Sequence, residues 1–191
     1  MPGRQAEPVS AQVLRRALAA VSQSPTAARD RTMILLSVHA GLRACEIAGL
    51  EWSMVLTADG RVGHVIEVRD GIAKGGSGRR LPMHPDLRRA LVTLRKAAGS
   101  SGPVIRSARG GALRPNSVVN WFVQLYAGVG AEGCSSHSGR RTFITNAARR
   151  APRAGASLRD VQLLAGHRSL GVTQSYIDGD SDAQRRLVRA L

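Results

Sequence analysis

The sequence predicts a mainly α-helical α+β domain that contains one small antiparallel sheet. Apolar residues recur at helical spacing along most of the chain, whereas the segment from about 52 to 83 carries short β-like runs between glycine-rich turns. The chain has 191 residues, of which 43% are hydrophobic, and this is enough to bury a real core. Because no stretch of about 18 apolar residues occurs, we expect no membrane span.

The predicted helices follow from the spacing of apolar residues and from residues that begin or end a helix. They cover 10–22, 26–40, 43–50, 85–97, 116–128, 138–150, 157–165 and 170–178. Ser10 and Thr26 precede the first two apolar patterns, and both are residue types that cap helix N-termini. Gly41 interrupts the second pattern, so a new helix is expected after it.

Between the third and fourth of these helices, the sequence has the character of strands and turns. The short runs MVL, HVIEV and RRLPM are separated by ADGRVG and AKGGSG, which are typical of turns in a small antiparallel sheet. The chain closes with the basic stretch DAQRRLVRAL over 182–191, which has an amphipathic pattern.

The chain is strongly basic, which predicts an anionic partner. It has 28 lysine and arginine residues against 13 acidic residues, a formal net charge of +15 and an isoelectric point near 11.7. Nucleic acid is the most frequent partner of such a protein, although a general bias of composition toward arginine gives the same balance. Only Lys74 and Lys96 are lysines, and arginine suits phosphate because its guanidinium grips two oxygens at once.

The cysteines and the N-terminal segment exclude several classes of protein. Cys45 and Cys134 lie far apart and belong to no CxxC or Cys/His cluster, so neither a disulfide framework nor a structural zinc site is expected. The N-terminal MPGRQAEPVS has no apolar signal-peptide core, which predicts a cytoplasmic location. In AKGGSGRR the lysine precedes the glycines, so the segment is no P-loop, and the sequence predicts no cofactor.

The stretch GHRSLGVTQSY, from Gly166 to Tyr176, places two scarce polar rings nine residues apart. On one continuous helix nine residues amount to about 900°, so His167 and Tyr176 would point to opposite sides. The segment from Ser169 to Gly171 offers a break, with one helix ending at Gly166 and another starting near Gly171. If the two rings share a site, the chain must bend there.

Further polar residues stand out upstream. Arg43 begins a short helix with Glu46 one turn later, and Lys74 lies in a glycine-rich turn between two strand-like runs. The segment HSGR places His137 and Arg140 three residues apart at a helix start, where free backbone N–H groups favour an anion. Each also has an ordinary structural explanation: an exposed ion pair, a solvated lysine or a capping histidine.

Taken in order, these residues resemble the catalytic domain of the tyrosine recombinases, or phage-integrase family. GLRACEIAGLEW resembles the family's first arginine box, and AKGGSGRRLPM resembles its β-hairpin lysine segment. HSGRRTFIT resembles the box with a histidine and a second arginine, and LLAGHRSLGVTQSYID resembles the box that ends in the tyrosine. The resemblance runs from about residue 10 to 180 and implies the DNA breaking-rejoining fold.

The chain departs from the family pattern at two places. Gly139 stands where the pattern has leucine, and we expect it to loosen the start of a helix. The interval from Arg140 to His167 is a few residues longer than usual around RRAPRAGAS, which predicts a longer surface loop. Neither departure removes a matched residue.

The resemblance implies a reaction and its residues. It implies a site-specific recombinase that cuts and rejoins DNA through a 3′-phosphotyrosine, with Tyr176 as the nucleophile and without metal or ATP. Glu46 is implied to orient Arg43. The implied catalytic residues are Arg43, Lys74, His137, Arg140, His167 and Tyr176.

The resemblance also implies how these residues divide the work. Arg43 and Arg140 face the negative charge on the attacked phosphate, and His167 donates a further hydrogen bond to it. Tyrosine has a pKa near 10 and needs a proton acceptor at neutral pH, a role that falls to His137. Lys74 is the implied general acid for the leaving 5′-oxygen.

The implied partner is a double-stranded DNA recombination site, and a homotetramer binds two such sites when they are synapsed. We expect the free protein to be monomeric and to be associated with the nucleoid. We expect residues 1–178 to form one catalytic domain, without the N-terminal core-binding domain that family members commonly carry, and 179–191 to form a tail. That tail either docks on a neighbouring protomer or contacts phosphates. Both a complete single-domain recombinase and a fragment of a longer one fit these expectations.

Two other functions compete with this interpretation. A type IB topoisomerase uses similar chemistry, but the box around His167 and Tyr176 and the small size favour a recombinase. An inactive integrase remnant that only binds DNA is disfavoured because the full set of matched residues is intact.

Tyr126 lies in the apolar helical pattern VVNWFVQLY and is predicted to be a core residue. The remaining histidines are predicted to be structural: His39, His64 and His84.

Overall fold

A computed structural model describes residues 6–73, 75–176, 185, 188 and 189 of the chain. The chain divides into two compact units, Met1–Phe143 and Ile144–Leu191. The helices in the described part are α1 Ala11–Val21, α2 Ala27–Ala40, α3 Ala44–Gly49, α4 Pro85–Ala98, α5 Pro115–Gly128, α6 Ser138–Arg150, α7 Leu158–Ala165 and α8 Leu170–Gln174. Two strands, β1 Val65–Val68 and β2 Arg79–Pro82, complete the regular structure there. The boundary between the units falls within α6.

The core of the N-terminal unit is built around α2. Met33, Ile34 and Leu36 are completely buried, and Leu35 is 1% exposed, so the middle of this helix is buried on every side. It packs against α1, α3 and α4, while α3 also packs against α5. Burying one large aliphatic side chain stabilises a fold by about 1.5–3 kcal/mol, and α2 therefore contributes a large share of the stability of this unit.

The two predicted N-caps have different outcomes. The Ser10 hydroxyl accepts a hydrogen bond from the Val13 N–H at 3.2 Å, which confirms it as the cap of α1. Thr26 occupies the predicted cap position of α2, but its side chain makes no capping bond. Its hydroxyl instead donates to the Asp30 carboxylate at 2.7 Å, because that carboxylate is buried and needs donors.

The small antiparallel sheet is confirmed, although it has fewer strands than the three β-like runs suggest. β1 pairs with β2, with Val65 opposite Pro82. The MVL run, predicted as β-like, forms no strand. The chain makes a 3₁₀ turn over Trp52–Met54 and then only an isolated bridge from Leu56 to Val62. The turn buries Trp52 and Met54 in the core.

The C-terminal unit contains the rest of α6, then α7 and α8, which pack on each other. The longer interval predicted near RRAPRAGAS is a 3₁₀ turn over Pro152–Ala154 with an exposed surface, followed by Ser157, which caps α7. α8 ends at Gln174, before the predicted end at 178. The reason is that the Tyr176 N–H bonds to the Thr173 carbonyl three residues earlier, which closes a turn.

The C-terminal tail lies largely outside the described residues. Of the predicted stretch over 182–191, only Arg185, Val188 and Arg189 are described, and these are helical. Among the described residues, none of the helices combines the length and the apolar character that crossing a bilayer requires.

Candidate active-site residues

Arg43 and Glu46 form the first part of the candidate site, at the start of α3. Arg43 is the N-cap residue, and its backbone N–H donates to Glu46 Oε2 at 2.9 Å. Its Nη1 donates to Glu46 Oε1 at 3.0 Å. The Glu46 side chain is fully buried, whereas that of Arg43 is 20% exposed. The alternative of an exposed ion pair is therefore wrong for this pair, because a buried carboxylate must be fully hydrogen-bonded.

A second arginine, not predicted from the sequence, binds the same carboxylate. Arg79, the first residue of β2, donates through Nη1 and Nη2 to the two oxygens of Glu46 at 2.8 and 3.0 Å. Its side chain is 5% exposed, whereas that of Arg80 is 75% exposed and pairs with Glu67 at 3.4 Å. The alternation of side chains along a strand was the available signal, since it sends neighbouring residues to opposite faces.

These contacts decide the ionisation of Glu46. Burial of the carboxyl group would raise its pKa, but hydrogen bonds and charge from Arg79, and then from Arg43, outweigh burial and hold the pKa below its ordinary value. Glu46 is therefore ionised at neutral pH and holds both arginines in place.

Arg140 joins α6 to the loop that leads to Arg43. The Arg140 side chain is buried, and its Nη1 donates to the Gly41 carbonyl at 2.7 Å. Gly41 ends α2 in the left-handed conformation with φ of 60°, and a Cβ there would lie 2.5 Å from a ring carbon of Phe143. Only glycine fits this position. Arg140 thus anchors the loop that leads from Gly41 through Leu42 to Arg43, the other matched arginine.

His137 lies directly before α6 and is exposed, with Nδ1 3.3 Å from the Ser136 hydroxyl. Gly139 follows in the first turn of a regular helix, so the expectation that it loosens the helix start is wrong. A Cβ on Gly139 would lie 2.1 Å from Ser37 Oγ, which shows that glycine lets α6 approach α2 closely. Lys74 lies outside the described residues, and the chain on either side of it connects β1 with β2.

The C-terminal unit brings the other two matched residues together. α7 ends at Gly166 in the left-handed conformation with φ of 63°, and α8 begins at Leu170. The bend predicted between His167 and Tyr176 is therefore present. Their ring centroids lie 5.5 Å apart, with the planes inclined by 23°. Both side chains are partly exposed.

Thr173 fixes the histidine of this pair. Its side chain is buried, and its hydroxyl oxygen lies 3.0 Å from His167 Nδ1. The Gln162 amide donates to the His167 carbonyl at 2.9 Å, which holds the backbone of the bend. Sequence reasoning did not single out either residue. For Thr173 the signal was its position within the same short stretch, three residues before Tyr176.

The remaining predictions about tyrosine and cysteine agree with the structure. Tyr126 is 1% exposed, and burial together with Cys134 raises the pKa of its hydroxyl, so it is a core residue. Cys45 and Cys134 are free and partly buried.

One group of side chains in the N-terminal unit has the composition of a metal site. His39, His84 and Asp86 each have a ligand atom within 4.8 Å of the others. The two imidazoles, however, stack 3.9 Å apart with planes inclined by only 6°. Because the lone pair of an imidazole lies in its ring plane, parallel stacked rings do not point at one ion. We therefore keep both histidines as structural.

The fold of the chain is similar to that of two solved structures. It is similar to the crystal structure of XerA recombinase, with a TM-score of 0.77 at 20% identity over 99% of this chain and 66% of that chain. It is also similar to the Tn1549 transposon integrase in complex with transposon right-end DNA, with a TM-score of 0.75 at 18% identity over 96% of this chain and 65% of that chain. The fold is that of a tyrosine recombinase catalytic domain.

The sequence then gives the family. A profile of the phage integrase family matches residues 8–182, and the chain belongs to that family. It is similar to the tyrosine recombinase XerC of Rhodospirillum centenum, with 31% identity over 170 residues that cover 86% of this chain and 47% of that protein. The chain spans about half the length of the curated relatives it matches. The resemblance found in the sequence is confirmed.

Proposed function

We propose that this protein is a site-specific DNA recombinase that cleaves and rejoins DNA through a 3′-phosphotyrosine at Tyr176. The observation that carries the proposal is the stacking of the His167 and Tyr176 rings 5.5 Å apart within one short bend of the chain. A nucleophile needs neighbouring groups that stabilise the charge formed during its attack. The imidazole of His167 is the first such group beside Tyr176.

The proposed reaction exchanges one phosphoester bond for another. The Tyr176 hydroxyl loses its proton to His137 and attacks the phosphorus, so that a Tyr–phosphate bond forms and the bond to the 5′-oxygen breaks. Lys74 donates the proton that the leaving 5′-oxygen takes up. A free 5′-hydroxyl then attacks the phosphotyrosine and reverses these steps. Because the bond energy is kept in the phosphotyrosine, the cycle requires neither ATP nor a metal.

Negative charge on the non-bridging oxygens rises as the phosphorus becomes five-coordinate. The proposed clamp of Arg43, Arg140 and His167 stabilises that negative charge. Support for it comes from the way each side chain is held in advance: Arg43 by Glu46, Arg140 by the Gly41 carbonyl. A Thr173 hydroxyl that donates to His167 Nδ1 leaves the proton on Nε2, the nitrogen that we assign to the phosphate.

The proposed partner is double-stranded DNA carrying a recombination site. The net charge of +15 supports this, as does the similarity in fold to the Tn1549 integrase, which binds transposon right-end DNA. We propose that residues 1–178 act as one catalytic domain and that 179–191 form a tail. The chain is proposed to be monomeric when free and tetrameric on two synapsed sites. A stable tetramer by light scattering without DNA contradicts that assembly.

The experiment that tests the function incubates the protein with DNA that flanks its coding sequence, both as intact duplex and as nicked suicide duplex. A recombinase forms a covalent protein–DNA adduct that accumulates on the nicked substrate and is specific for sequence. Relaxation of a supercoiled plasmid that lacks the site favours the topoisomerase alternative instead. Retarded DNA with no adduct on either substrate favours the inactive binding protein.

A further inference from the structure

Two arginines share one buried carboxylate in the N-terminal unit, and they share it unequally. Arg79 uses both terminal nitrogens on the two oxygens of Glu46, at 2.8 and 3.0 Å. The side chain of Arg43 makes one contact, from Nη1 at 3.0 Å, and its backbone N–H makes another at 2.9 Å. Among the described residues, the carboxylate therefore accepts four hydrogen bonds, and only Arg79 grips both oxygens with its side chain.

The charges in this cluster do not cancel. Among the described side chains, the two guanidinium groups and the one carboxylate that pair here leave a surplus of one positive charge. The Arg79 side chain is 5% exposed and that of Arg43 is 20% exposed, so the surplus is presented to solvent at Arg43.

We propose that Arg79 is a positioning residue, whose grip on Glu46 lets that carboxylate orient Arg43 without neutralising it. The inference rests on the proposed role of Arg43 toward DNA phosphate. With both oxygens of Glu46 occupied by Arg79, Arg43 is fixed by one side-chain contact and keeps its other donors for an incoming phosphate.

Removing Arg79 would change the cluster in a definite way. Glu46 would be a buried carboxylate with one remaining cation, and the short path from Arg43 favours a two-pronged pair between them. The net charge of the cluster would fall from one to zero. Arg43 would then bind Glu46 instead of phosphate. Neutralising Glu46 at the same time would restore the surplus charge on Arg43.

The test compares four proteins: wild type, Arg79→Gln, Arg80→Gln and the double variant Glu46→Gln with Arg79→Gln. Arg80 is the matched control, since it is the next residue on β2 but is 75% exposed. The single-turnover rate of covalent adduct formation is measured with saturating nicked DNA, at a temperature well below the melting temperature of every variant. Arg79→Gln should lower the rate about 10- to 100-fold, as loss of a preorganised charge does. Arg80→Gln should stay within about twofold of wild type.

The double variant distinguishes positioning from support of the fold. It should cleave at least about tenfold faster than Arg79→Gln alone, because Glu46→Gln removes the carboxylate that captures Arg43. A double variant as slow as the single one, or slower, contradicts the proposal. If Arg79→Gln does not fold, Arg79→Lys replaces it. A lysine keeps the charge but loses the fork, so we expect an intermediate rate.

A second measurement separates this inference from the proposed function. The rate of Arg43 modification by phenylglyoxal is followed by peptide mass spectrometry, without DNA. Pairing of Arg43 with both oxygens of Glu46 should slow its modification severalfold in Arg79→Gln and leave it unchanged in Arg80→Gln. Unchanged or faster modification in Arg79→Gln overturns the positioning role. If wild type forms no adduct with DNA, the proposed function fails, whereas this result still decides the role of Arg79.

Discussion

The imidazole of His167 stacks on the phenol ring of Tyr176, with centroids 5.5 Å apart and planes inclined by 23°. The left-handed Gly166 and the early end of α8 make this possible, because a continuous helix would have turned the two rings apart. Thr173 then fixes the imidazole through Nδ1. The bend between α7 and α8 thus brings the two proposed functional groups together.

Thr173→Val tests whether the hydroxyl sets the state of His167. Valine keeps the shape of threonine but cannot hydrogen-bond to Nδ1, so the ring loses this hydrogen bond. We expect the single-turnover rate of adduct formation to fall about 10- to 100-fold, with DNA affinity within about twofold of wild type. Thr173→Ser, which keeps the hydroxyl, should recover most of the rate. A rate for Thr173→Val equal to that of wild type removes the residue from this role.

Gly139→Ala tests the close approach of α6 to α2. Alanine normally stabilises a helix interior relative to glycine by about 1 kcal/mol, but here its Cβ would lie 2.1 Å from Ser37 Oγ. We expect a net loss of about 1–3 kcal/mol in the free energy of unfolding, measured by urea denaturation. Adding Ser37→Gly should recover part of that loss. Gly128→Ala, where a Cβ meets no atom within 4 Å, is the control and should be neutral or stabilising.

Lys74→Ala tests the assignment of the general acid. We expect adduct formation on ordinary DNA to become slow, because the leaving 5′-oxygen no longer receives a proton. A substrate with a 5′-bridging phosphorothiolate should restore the rate, since sulfur leaves without protonation. If this substrate gives no rescue in Lys74→Ala, another residue is the acid.

The stability of the protein should fall as the pH drops from about 6.5 toward 4. Burial, and then the charge of the stacked His84, lower the pKa of His39 from 6.5 to about 4, against the opposite effect of Asp86. Between these values the unfolded chain binds a proton that the folded chain does not, so acid favours unfolding. His39→Gln should reduce this slope in urea denaturation, and His64→Gln, at an exposed position, should leave it unchanged. A slope that persists in His39→Gln points to other groups.

Much of the helical framework could be predicted from the sequence, because apolar spacing and helix-ending glycines are local signals. α6 was predicted over the residues it occupies, and α2 within one residue. The MVL run failed because its β-like residues enter the core through a tight turn, which local propensity does not reveal. Gly139 was misinterpreted because the reason for a glycine lay on another helix, at Ser37.

The candidate residues were found by their order along the chain, but their supports were not. Arg79 stands beside Arg80 in the sequence, and the alternation along β2 sends the two to opposite faces, but only the fold shows that Glu46 lies on the Arg79 side. Thr173 is one of several small polar residues near Tyr176, and only the bend between α7 and α8 brings it to His167. Such contacts join segments whose spacing depends on the fold, so they become visible only in three dimensions.

The position of the covalent bond to DNA decides whether Tyr176 is the nucleophile. The protein is trapped on a nicked suicide substrate, digested with nuclease and protease, and the modified peptide is sequenced by mass spectrometry. We expect the nucleotide on Tyr176, no adduct for Tyr176→Phe despite nearly unchanged DNA binding, and a normal adduct for Tyr126→Phe, the buried control. A covalent adduct that forms with Tyr176→Phe, or one mapped to another residue, contradicts it.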